Sequence, residues 1–274
     1  MKSLLCCPLC AAPLERTEGV YVCGAGHRYD VAREGYVHLL PANRLHSKAP
    51  GDDKTMAAAR ARFLSGGHYA HLRDALTALA LAYTPDRPTV LDSGCGEGYY
   101  TAAVHAALRD AGKAPRTAGV DLSKPSLKHA AKREREAEFA VASVYHLPVA
   151  DGSIDLLLNC FSPLALDEFR RVLQPGGVFL YVVPGPRHLW EMKEILYDRP
   201  YKNPDEAVAY DGFAYLDIRS PERAITLEGA AIMDLFRMTP YAWKTPRAGI
   251  ERLTALKTLT VQAQFRVHAF RKAK

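Results

Sequence analysis

The chain has 274 residues, of which 48% are hydrophobic and 24% charged, and its net charge is +6. At roughly 150 residues per domain this length predicts one or two domains, and the composition excludes disordered, collagen-like and coiled-coil chains. No run approaches about 18 apolar residues, which excludes a membrane-spanning helix. The apolar stretch at residues 4–7 is too short for a signal peptide, so we expect a cytoplasmic protein. The mild basic excess is compatible with a nucleic-acid partner.

Four of the six cysteines fall within the first 23 residues, which favours a metal site over a secreted disulfide framework. Cys7 and Cys10 form a Cys-x2-Cys pair, and Cys23 and His27 form a Cys-x3-His pair after twelve intervening residues. Two such turns supply a closed Cys3His tetrahedron, the coordination of a structural zinc ion. Cys6 fits this spacing less well. The alternative, free buried thiols or a redox Cys-x2-Cys pair, is disfavoured by the second half-site.

The zinc ion is expected to hold together residues 1–40, a segment too small for a core of its own. Within it, residues 14–22 predict a hairpin that turns at residues 17–19. The next segment, residues 41–55, is polar and contains two prolines, which predicts a flexible linker. Its basic side chains either meet phosphates or are simply solvated, and they are Arg44, His46 and Lys48.

A main domain is predicted over residues 56–274. It begins with helices at residues 55–64, which carry Arg60 and Arg62, and at residues 68–83. From residue 88 strands and helices alternate, which indicates βαβ units and a largely parallel sheet. The predicted strands cover residues 89–93, 119–122, 138–142, 154–159, 178–183 and 257–270, and the later helices cover residues 99–109 and 226–238. In the last strand one face is apolar, formed by Val261, Ala263, Phe265, Val267 and Ala269.

A glycine-rich turn between the first strand and its helix predicts the ligand. Gly94, Gly96 and Gly98 are one residue short of the G-x-G-x-x-G dinucleotide fingerprint. Asp92 precedes them and would repel a pyrophosphate, but it suits S-adenosylmethionine, which carries a sulfonium and an ammonium. Asp121 lies 23 residues beyond Gly98, where an acidic residue meets ribose hydroxyls in such folds. Together, Asp92, the glycine turn and Asp121 favour S-adenosylmethionine over NAD as the ligand. The alternative to a ligand-binding role is that the turn only joins the strand to the helix.

Two motifs, Asp92-Ser93-Gly94-Cys95-Gly96-Glu97-Gly98 and Leu173-Gln174-Pro175-Gly176-Gly177, resemble those of class I S-adenosylmethionine-dependent methyltransferases. Over nearly its full length the chain is similar to the 23S rRNA guanine-N1 methyltransferases. The strings that carry this closer resemblance are the Cys3His set and residues 34–37, 39–41, 50–52, 67–69, 94–100, 184–189 and 238–243. The resemblance implies an α/β, Rossmann-like fold with a mostly parallel seven-stranded sheet, helices on both faces and a small N-terminal zinc-binding module.

The resemblance also implies a function and a domain plan. The enzyme would methylate N1 of a guanine in a hairpin loop of 23S rRNA, using S-adenosylmethionine, and would hold one structural Zn2+. Residues 1–40 would recognise the substrate, residues 41–55 would be the linker, and residues 56–274 would be the methyltransferase domain. Family members can form a homodimer whose zinc modules help to shape an RNA cleft.

The implied site residues fall into two sets. The zinc ligands would be Cys7, Cys10, Cys23 and His27. The cofactor-binding residues, combining the resemblance with the turn and its two acids, would be Tyr69, Asp92, Gly94, Gly96, Glu97, Asp121 and His188.

The acceptor side is left open by the sequence. Residues 159–163 keep an aromatic residue and a proline but differ from the family at neighbouring positions. Removal of the guanine N1 proton needs a base or a water path. His188 is one candidate base, although packing against the cofactor is an equal alternative, and Asp155 is a weaker one. Unpaired bases are read on aromatic side chains, and the candidates are Phe161, Tyr99 and Tyr100, although each could be a core residue.

Two other functions remain as alternatives. A methyltransferase for a small molecule would not need a zinc module or a basic excess. A non-catalytic RNA-binding or zinc adaptor protein could keep an inactive cofactor fold, but the intact Asp92, glycine turn and Asp121 argue against it.

Overall fold

The computed structural model describes residues 2–41, 51–205 and 209–273. Most of the predicted linker, including Arg44, His46 and Lys48, lies outside the described residues. The strands are β1 (Lys2–Cys6), β2 (Pro13–Thr17), β3 (Val20–Cys23), β4 (Arg28–Asp30), β5 (Tyr36–His38), β6 (Thr89–Ser93), β7 (Arg116–Asp121), β8 (Glu138–Val141), β9 (Ile154–Cys160), β10 (Leu173–Pro184), β11 (Phe213–Arg219), β12 (Glu222–Glu228) and β13 (Thr258–Lys272). The helices are α1 (Lys54–Ser65), α2 (Ala70–Tyr83), α3 (Tyr99–Asp110), α4 (Lys124–Arg133), α5 (Leu166–Val172), α6 (Trp190–Leu196), α7 (Ala230–Arg237) and α8 (Arg247–Thr254), and a short 3-10 helix spans Pro240–Trp243.

The N-terminal residues form a four-stranded antiparallel sheet in the order β1-β2-β3-β4. Strands β2 and β3 are the predicted hairpin, and Thr17 pairs with Val20 at its turn. Gly19 has φ +73° there, a left-handed conformation that glycine adopts without strain. The hairpin places Cys23 at the end of β3, close to the turn that carries Cys7 and Cys10.

The larger sheet has nine strands within the described residues, where the family resemblance implies seven. Six of them, in the order β10-β9-β6-β7-β8-β5, are parallel, so the predicted mostly parallel sheet is confirmed. Strand β13 runs antiparallel to β10, and β11 and β12 both pair with β13. One extra strand, β5, comes from the N-terminal segment and pairs Tyr36 with Phe139.

The predicted helix at residues 226–238 is wrong in its first part. Thr226 pairs with Thr260, and Ile225 and Leu227 are buried between exposed neighbours, as alternation in a strand requires. The helix α7 begins only at Ala230, after Gly229 with φ +54°. In so short a segment the apolar residues fit both the helical period of 3.6 residues and the strand period of two residues. Residues 222–228 form a strand because they pair with the long strand β13.

Both faces of the sheet are covered. Along β9, Leu156 and Leu158 belong to a core that includes α1, α2, α3 and α6, whereas Leu157 belongs to a core that includes α5 and the zinc-binding strands. This double burial is typical of parallel sheets. The apolar face predicted for β13 is fully buried as expected. None of the helices in the described residues is long and apolar enough to cross a membrane.

Candidate functional site

A cavity of about 930 Å³ opens at the carboxyl ends of the parallel strands. Its lining residues follow the ends of five neighbouring strands, and they include Gly94 after β6, Asp121 at the end of β7, Ser143 after β8, Cys160 at the end of β9 and Pro184 at the end of β10. Open α/β sheets bind ligands at this edge. Tertiary structure therefore brings together the predicted glycine turn, both predicted acidic positions and the loop that contains His188.

The glycine turn has a shape that only glycine fits. Gly94, Gly96 and Gly98 have φ angles of +86°, +53° and +79°. A Cβ at Gly94 would lie 2.1 Å from Ser162 Oγ, and a Cβ at Gly98 would lie 2.9 Å from Ala130. The turn is therefore packed tightly against the loop after β9 and against α4, and its backbone lines the cavity.

Asp92 is a buried carboxylate at the floor of the cavity. Thr101 Oγ1 donates a hydrogen bond of 2.6 Å to its Oδ2, whereas Oδ1 is buried and has no hydrogen-bond partner among the described residues. No cationic side chain of the described residues forms an ion pair with it. Burial, reinforced by the Asp121 carboxylate, raises the pKa of Asp92 to about 7 against the effect of the Thr101 hydrogen bond. An unpaired buried acid of this kind calls for a cationic ligand.

Glu97 and Asp121 also line the cavity. Arg133 Nη2 donates a 2.5 Å hydrogen bond to Glu97 Oε2, and Glu97 Oε1 is buried without a partner among the residues that the structure describes. The carboxylate of Asp121 accepts hydrogen bonds from the backbone N–H groups of Gly96, at 2.9 Å, and Ser123, at 2.7 Å. Asp121 thus fixes the glycine turn while it lines the cavity.

Tyr69 and His188 lie on one wall of the cavity, packed around Phe265. Their ring centroids are 4.8 Å and 4.7 Å from that of Phe265. The Tyr69 hydroxyl and His188 Nδ1 are buried without partners among the described residues. Burial lowers the pKa of His188 to about 3, so its imidazole is neutral near pH 7.

A second site lies in the N-terminal sheet. Cys7, Cys10, Cys23 and His27 bring their ligand atoms within 4.8 Å of one another. Cys10 Sγ and Cys23 Sγ are 3.7 Å apart, and His27 Nδ1 is 3.5 Å from Cys7 Sγ and 3.3 Å from Cys23 Sγ. A tetrahedron with Zn–S bonds of about 2.3 Å has S–S edges of about 3.8 Å. The four residues therefore fit one zinc ion, as the spacing predicts.

The hydroxyl of Tyr29 supports this zinc site from outside, since it lies 3.0 Å from Cys7 Sγ. Cys6 takes no part, because its backbone N–H donates to Pro148 O and its thiol is not among the clustered atoms. Tyr29 is not among the residues that the spacing predicts for this site, although it follows the ligand His27 by only two residues.

Comparisons with known proteins cover both sites. Residues 5–48 match the family described as RlmA, N-terminal, and residues 91–181 match the one described as Methyltransferase domain. The chain is 34% identical to a protein of Micromonospora griseorubida named as a putative 23S rRNA (guanine-N(1)-)-methyltransferase, over 97% of this chain and 96% of that protein. The chain belongs to the 23S rRNA (guanine-N1)-methyltransferase family.

Other comparisons agree with this assignment. The 23S rRNA (guanine(748)-N(1))-methyltransferase of Streptomyces fradiae is 41% identical over 69% of this chain, and the match covers 66% of that protein. The solved structure of the YcgJ protein from Bacillus subtilis has a TM-score of 0.50 at 16% identity, over 73% of this chain and 99% of that chain, and it supports the fold alone. This member of the guanine-N1 methyltransferase family therefore has a class I S-adenosylmethionine-dependent methyltransferase fold and an N-terminal zinc ribbon.

The structure distinguishes between the aromatic residues that the sequence offered as candidates for contact with an unpaired base. Tyr99 and Tyr100 are buried, whereas Phe161 is 44% exposed in the cavity. Asp155 lies at the opposite end of its strand and accepts hydrogen bonds from Thr89. It is therefore remote from the site edge, as predicted.

The two arginines of α1 are each engaged in an ion pair. Arg60 pairs with Asp52 at 2.8 Å and donates to Met238 O at 3.0 Å, and its side chain lines the cavity. Arg62 forms an ion pair with Asp234 at 2.6 Å. Neither ion pair can be predicted from the sequence, because both depend on how α1 packs against other segments of the chain.

Proposed function

We propose that this protein transfers a methyl group from S-adenosylmethionine to N1 of a guanine in a hairpin loop of 23S rRNA. The observation that carries the proposal is the match over 97% of the chain to a protein named as a putative 23S rRNA (guanine-N(1)-)-methyltransferase, which includes the zinc ribbon as well as the methyltransferase domain. Asp92 and Glu97 each keep one buried carboxylate oxygen without a hydrogen-bond partner among the described residues, and the Phe161 ring is exposed in the same cavity. These features are consistent with a cationic cofactor and a planar base.

We assign the cofactor to Tyr69, Asp92, Gly94, Gly96, Glu97, Asp121 and His188. The free oxygens of Asp92 and Glu97 would accept hydrogen bonds from the cofactor's ammonium group. The remaining lone pairs of Asp121 would accept from the ribose hydroxyls, and the glycine backbone allows close approach. These free carboxylate oxygens, and a glycine turn one residue short of the dinucleotide fingerprint, fit S-adenosylmethionine better than a dinucleotide.

The chemistry supplied by bound S-adenosylmethionine is a methyl group activated by a sulfonium. The chain's own residues then act mainly by positioning the base and excluding water. Of the carboxylates that line the cavity, Asp52 is paired with Arg60 and Glu97 with Arg133. We assign the other two, Asp92 and Asp121, to the cofactor, so no lining carboxylate is assigned to removal of the N1 proton. His188 is a weak base because its pKa is about 3, so we assign it to packing rather than to proton removal. The N1 proton would then leave by a water path.

We also propose that residues 1–40 contribute to RNA recognition and that residues 41–55 link them to the methyltransferase domain at residues 56–274. A homodimer that joins two zinc ribbons in one RNA cleft is part of the same proposal, as is a cytoplasmic location, where ribosomal RNA is found. Light scattering of the zinc-loaded protein measures the oligomeric state directly.

Asp121→Ala is expected to weaken S-adenosylmethionine binding by about 1.5–3 kcal/mol, the range for a charge-assisted hydrogen bond. Part of the loss comes from the ribose contact and part from release of the Gly96 N–H that Asp121 holds. Isothermal titration calorimetry measures the affinity of each protein for S-adenosylmethionine. The matched control is Asp155→Asn, which changes a carboxylate at the far end of β9 and leaves the affinity unchanged. Equal affinities for the wild type and Asp121→Ala would place the ribose elsewhere.

The proposed reaction is tested by primer extension on rRNA. A methyl group on guanine N1 removes a Watson–Crick donor, so reverse transcriptase halts one nucleotide before the modified base. We expect one stop in 23S rRNA from cells with the gene, none in cells without it, and restoration when purified protein and S-adenosylmethionine treat the unmodified rRNA. If the deletion strain keeps every stop and the protein adds none, the guanine-N1 assignment is wrong.

Two further measurements separate the alternatives. Tritiated methyl transfer into small molecules but not into RNA would favour a small-molecule methyltransferase. Failure of the protein to bind S-adenosylmethionine at all would favour a non-catalytic RNA-binding or adaptor protein.

A further inference from the structure

Exposed aromatic rings concentrate around the cavity. Among the described residues the exposed large aromatic side chains are Tyr145, Phe161, Tyr201, Tyr215 and Trp243. All but Tyr215 line the cavity. Tyr145 follows β8 beside Ser143, on the side of the cavity that we assign to the cofactor. The other three rings, Phe161, Tyr201 and Trp243, lie around the side that we assign to the acceptor base. We call these three residues the aromatic rim. Rings left in water at one opening indicate a ligand that stacks on them.

Phe161 is the rim residue next to the cofactor site. Its φ is +57°, a left-handed conformation that is uncommon for a non-glycine residue and costs on the order of 1 kcal/mol or more. The next residue, Ser162, packs directly against the glycine turn at Gly94. The Phe161 ring lies 5.7 Å from Phe265 and is 44% exposed. A strained backbone thus presents this ring to the cavity beside the point where the methyl group would be held.

Tyr201 is held in place by a buried cation. Lys193 is fully buried, and its Nζ donates to Tyr201 O and Asn203 Oδ1, each at 2.9 Å. The same Nζ lies 4.6 Å from the centroid of the Tyr201 ring. Asn203 Nδ2 in turn donates to Gly185 O, at 2.7 Å, in the loop after β10. Tyr201 is therefore a fixed part of the cavity wall although 57% of it is exposed.

Each outer ring of the rim is followed by an exposed lysine. Trp243 is 69% exposed at the end of the 3-10 helix and precedes Lys244, and Tyr201 precedes Lys202. Neither lysine forms an ion pair with a carboxylate of the described residues. Rings for stacking beside free cations for phosphates form the pattern with which proteins bind single-stranded nucleic acid.

We infer that the aromatic rim is a stacking platform for unpaired RNA bases, with the target guanine on Phe161 and its neighbours in the loop on Tyr201 and Trp243. The inference rests on the proposed function and adds the side chains that would hold the loop. The enzyme would take a loop whose bases are unstacked, while Lys202 and Lys244 contact the flanking phosphates. A fully paired stem keeps its bases stacked on each other and could not occupy the rim.

Tryptophan fluorescence tests the rim without disturbing it. The chain has two tryptophans, so Trp190→Phe leaves Trp243 as the sole reporter. We expect its emission to be quenched by an RNA hairpin with an unpaired, guanine-containing loop, and to be unaffected by a duplex of the same stem without a loop. Equal responses to hairpin and duplex, or no response to the hairpin at saturating concentration, would overturn the inference.

Substitutions test the individual rings. Phe161→Leu, Tyr201→Leu and Trp243→Leu should each weaken hairpin binding by roughly 5- to 150-fold, the range for loss of one base–aromatic stack. Phe161→Leu should also lower kcat, because the target guanine loses its position, whereas Trp243→Leu should change mainly KM. The control Tyr215→Leu removes an exposed ring outside the cavity and should leave binding unchanged. Melting temperature and S-adenosylmethionine affinity show that each variant is folded.

The two hypotheses fail differently. If the wild type does not methylate 23S rRNA but its Trp243 emission still distinguishes loop from duplex, the proposed function is wrong, and the inference that the aromatic rim binds unpaired bases is retained. If the wild type methylates 23S rRNA while the three leucine variants bind the hairpin as it does, the rim is wrong and the proposed function stands.

Discussion

Replacing Cys23 with serine is expected to release the zinc ion and to lower the melting temperature of the whole chain. Zinc binding in isolated zinc-finger peptides contributes roughly 10–16 kcal/mol, and an entire domain is stable by only about 5–15 kcal/mol. The effect should spread because the zinc ribbon shares its core with the sheet. Leu5, Leu14 and Tyr21 belong to the same buried cluster as Leu91 and Phe179.

Direct contacts couple the two parts as well. Glu138, the first residue of β8, accepts hydrogen bonds from the Leu4 N–H, at 2.9 Å, and the Tyr21 hydroxyl, at 3.1 Å. Strand β5 extends the large sheet from the N-terminal segment. From the sequence alone we expect Cys23→Ser to unfold only the first 40 residues or so. Because of these contacts, we expect the substitution to destabilise β8 as well.

Elemental analysis and thermal unfolding measure the two effects of Cys23→Ser. The matched control is Cys6→Ser, which removes a neighbouring thiol outside the cluster and should retain one zinc per chain. A Cys23→Ser protein that keeps a full zinc ion and melts with the wild type would contradict the assignment. Loss of zinc with an unchanged melting temperature would contradict the coupling.

Asp92→Asn is expected to change cofactor binding and stability in opposite directions. The substitution keeps an oxygen that can accept the Thr101 hydrogen bond but removes the charge. S-adenosylmethionine affinity should fall by about 1.5–3 kcal/mol, roughly 10- to 150-fold, through loss of a charge-assisted contact. Near pH 8 the protein without cofactor should gain stability, because an uncompensated buried charge disappears.

The pH dependence has a defined sign. The pKa of Asp92 is about 7 in the folded protein, above the ordinary value of 3.8. Its favourable contribution to folding is therefore complete below about pH 4 and is lost as the pH rises from there through 7, at a cost of roughly 4 kcal/mol. Cofactor binding needs the ionised form, so the affinity of the wild type should rise between pH 6 and pH 8. Asp92→Asn should show neither trend.

Calorimetric titrations at pH 6, 7 and 8 and chemical unfolding at the same values give both trends. His188 does not contribute to them, because its low pKa keeps the imidazole neutral throughout this range. A wild-type affinity that is flat from pH 6 to pH 8 would show that Asp92 does not meet the cofactor's cation. Destabilisation of the cofactor-free protein by Asp92→Asn would show that Asp92 has a structural role.

The sequence by itself determines the features that depend on short spacing. The Cys3His site is predictable because each pair of ligands lies within one turn, and a single hairpin joins the pairs. The glycine turn and the alternation of strands and helices are predictable because each arises within about ten residues of chain. The zinc ribbon, the parallel sheet and the position of the cofactor cavity follow from these local patterns.

Only the tertiary structure decides which distant segments meet. It places β5 at the edge of the large sheet and makes residues 222–228 a strand, because the long strand β13 offers a pairing partner that local periodicity cannot reveal. It buries Tyr99 and leaves Phe161 exposed, although both follow a strand end in the sequence. The physical reason is the same in each case. A side chain's partners and its access to water are set by packing between elements far apart in the chain, whereas its local conformation is set by its neighbours.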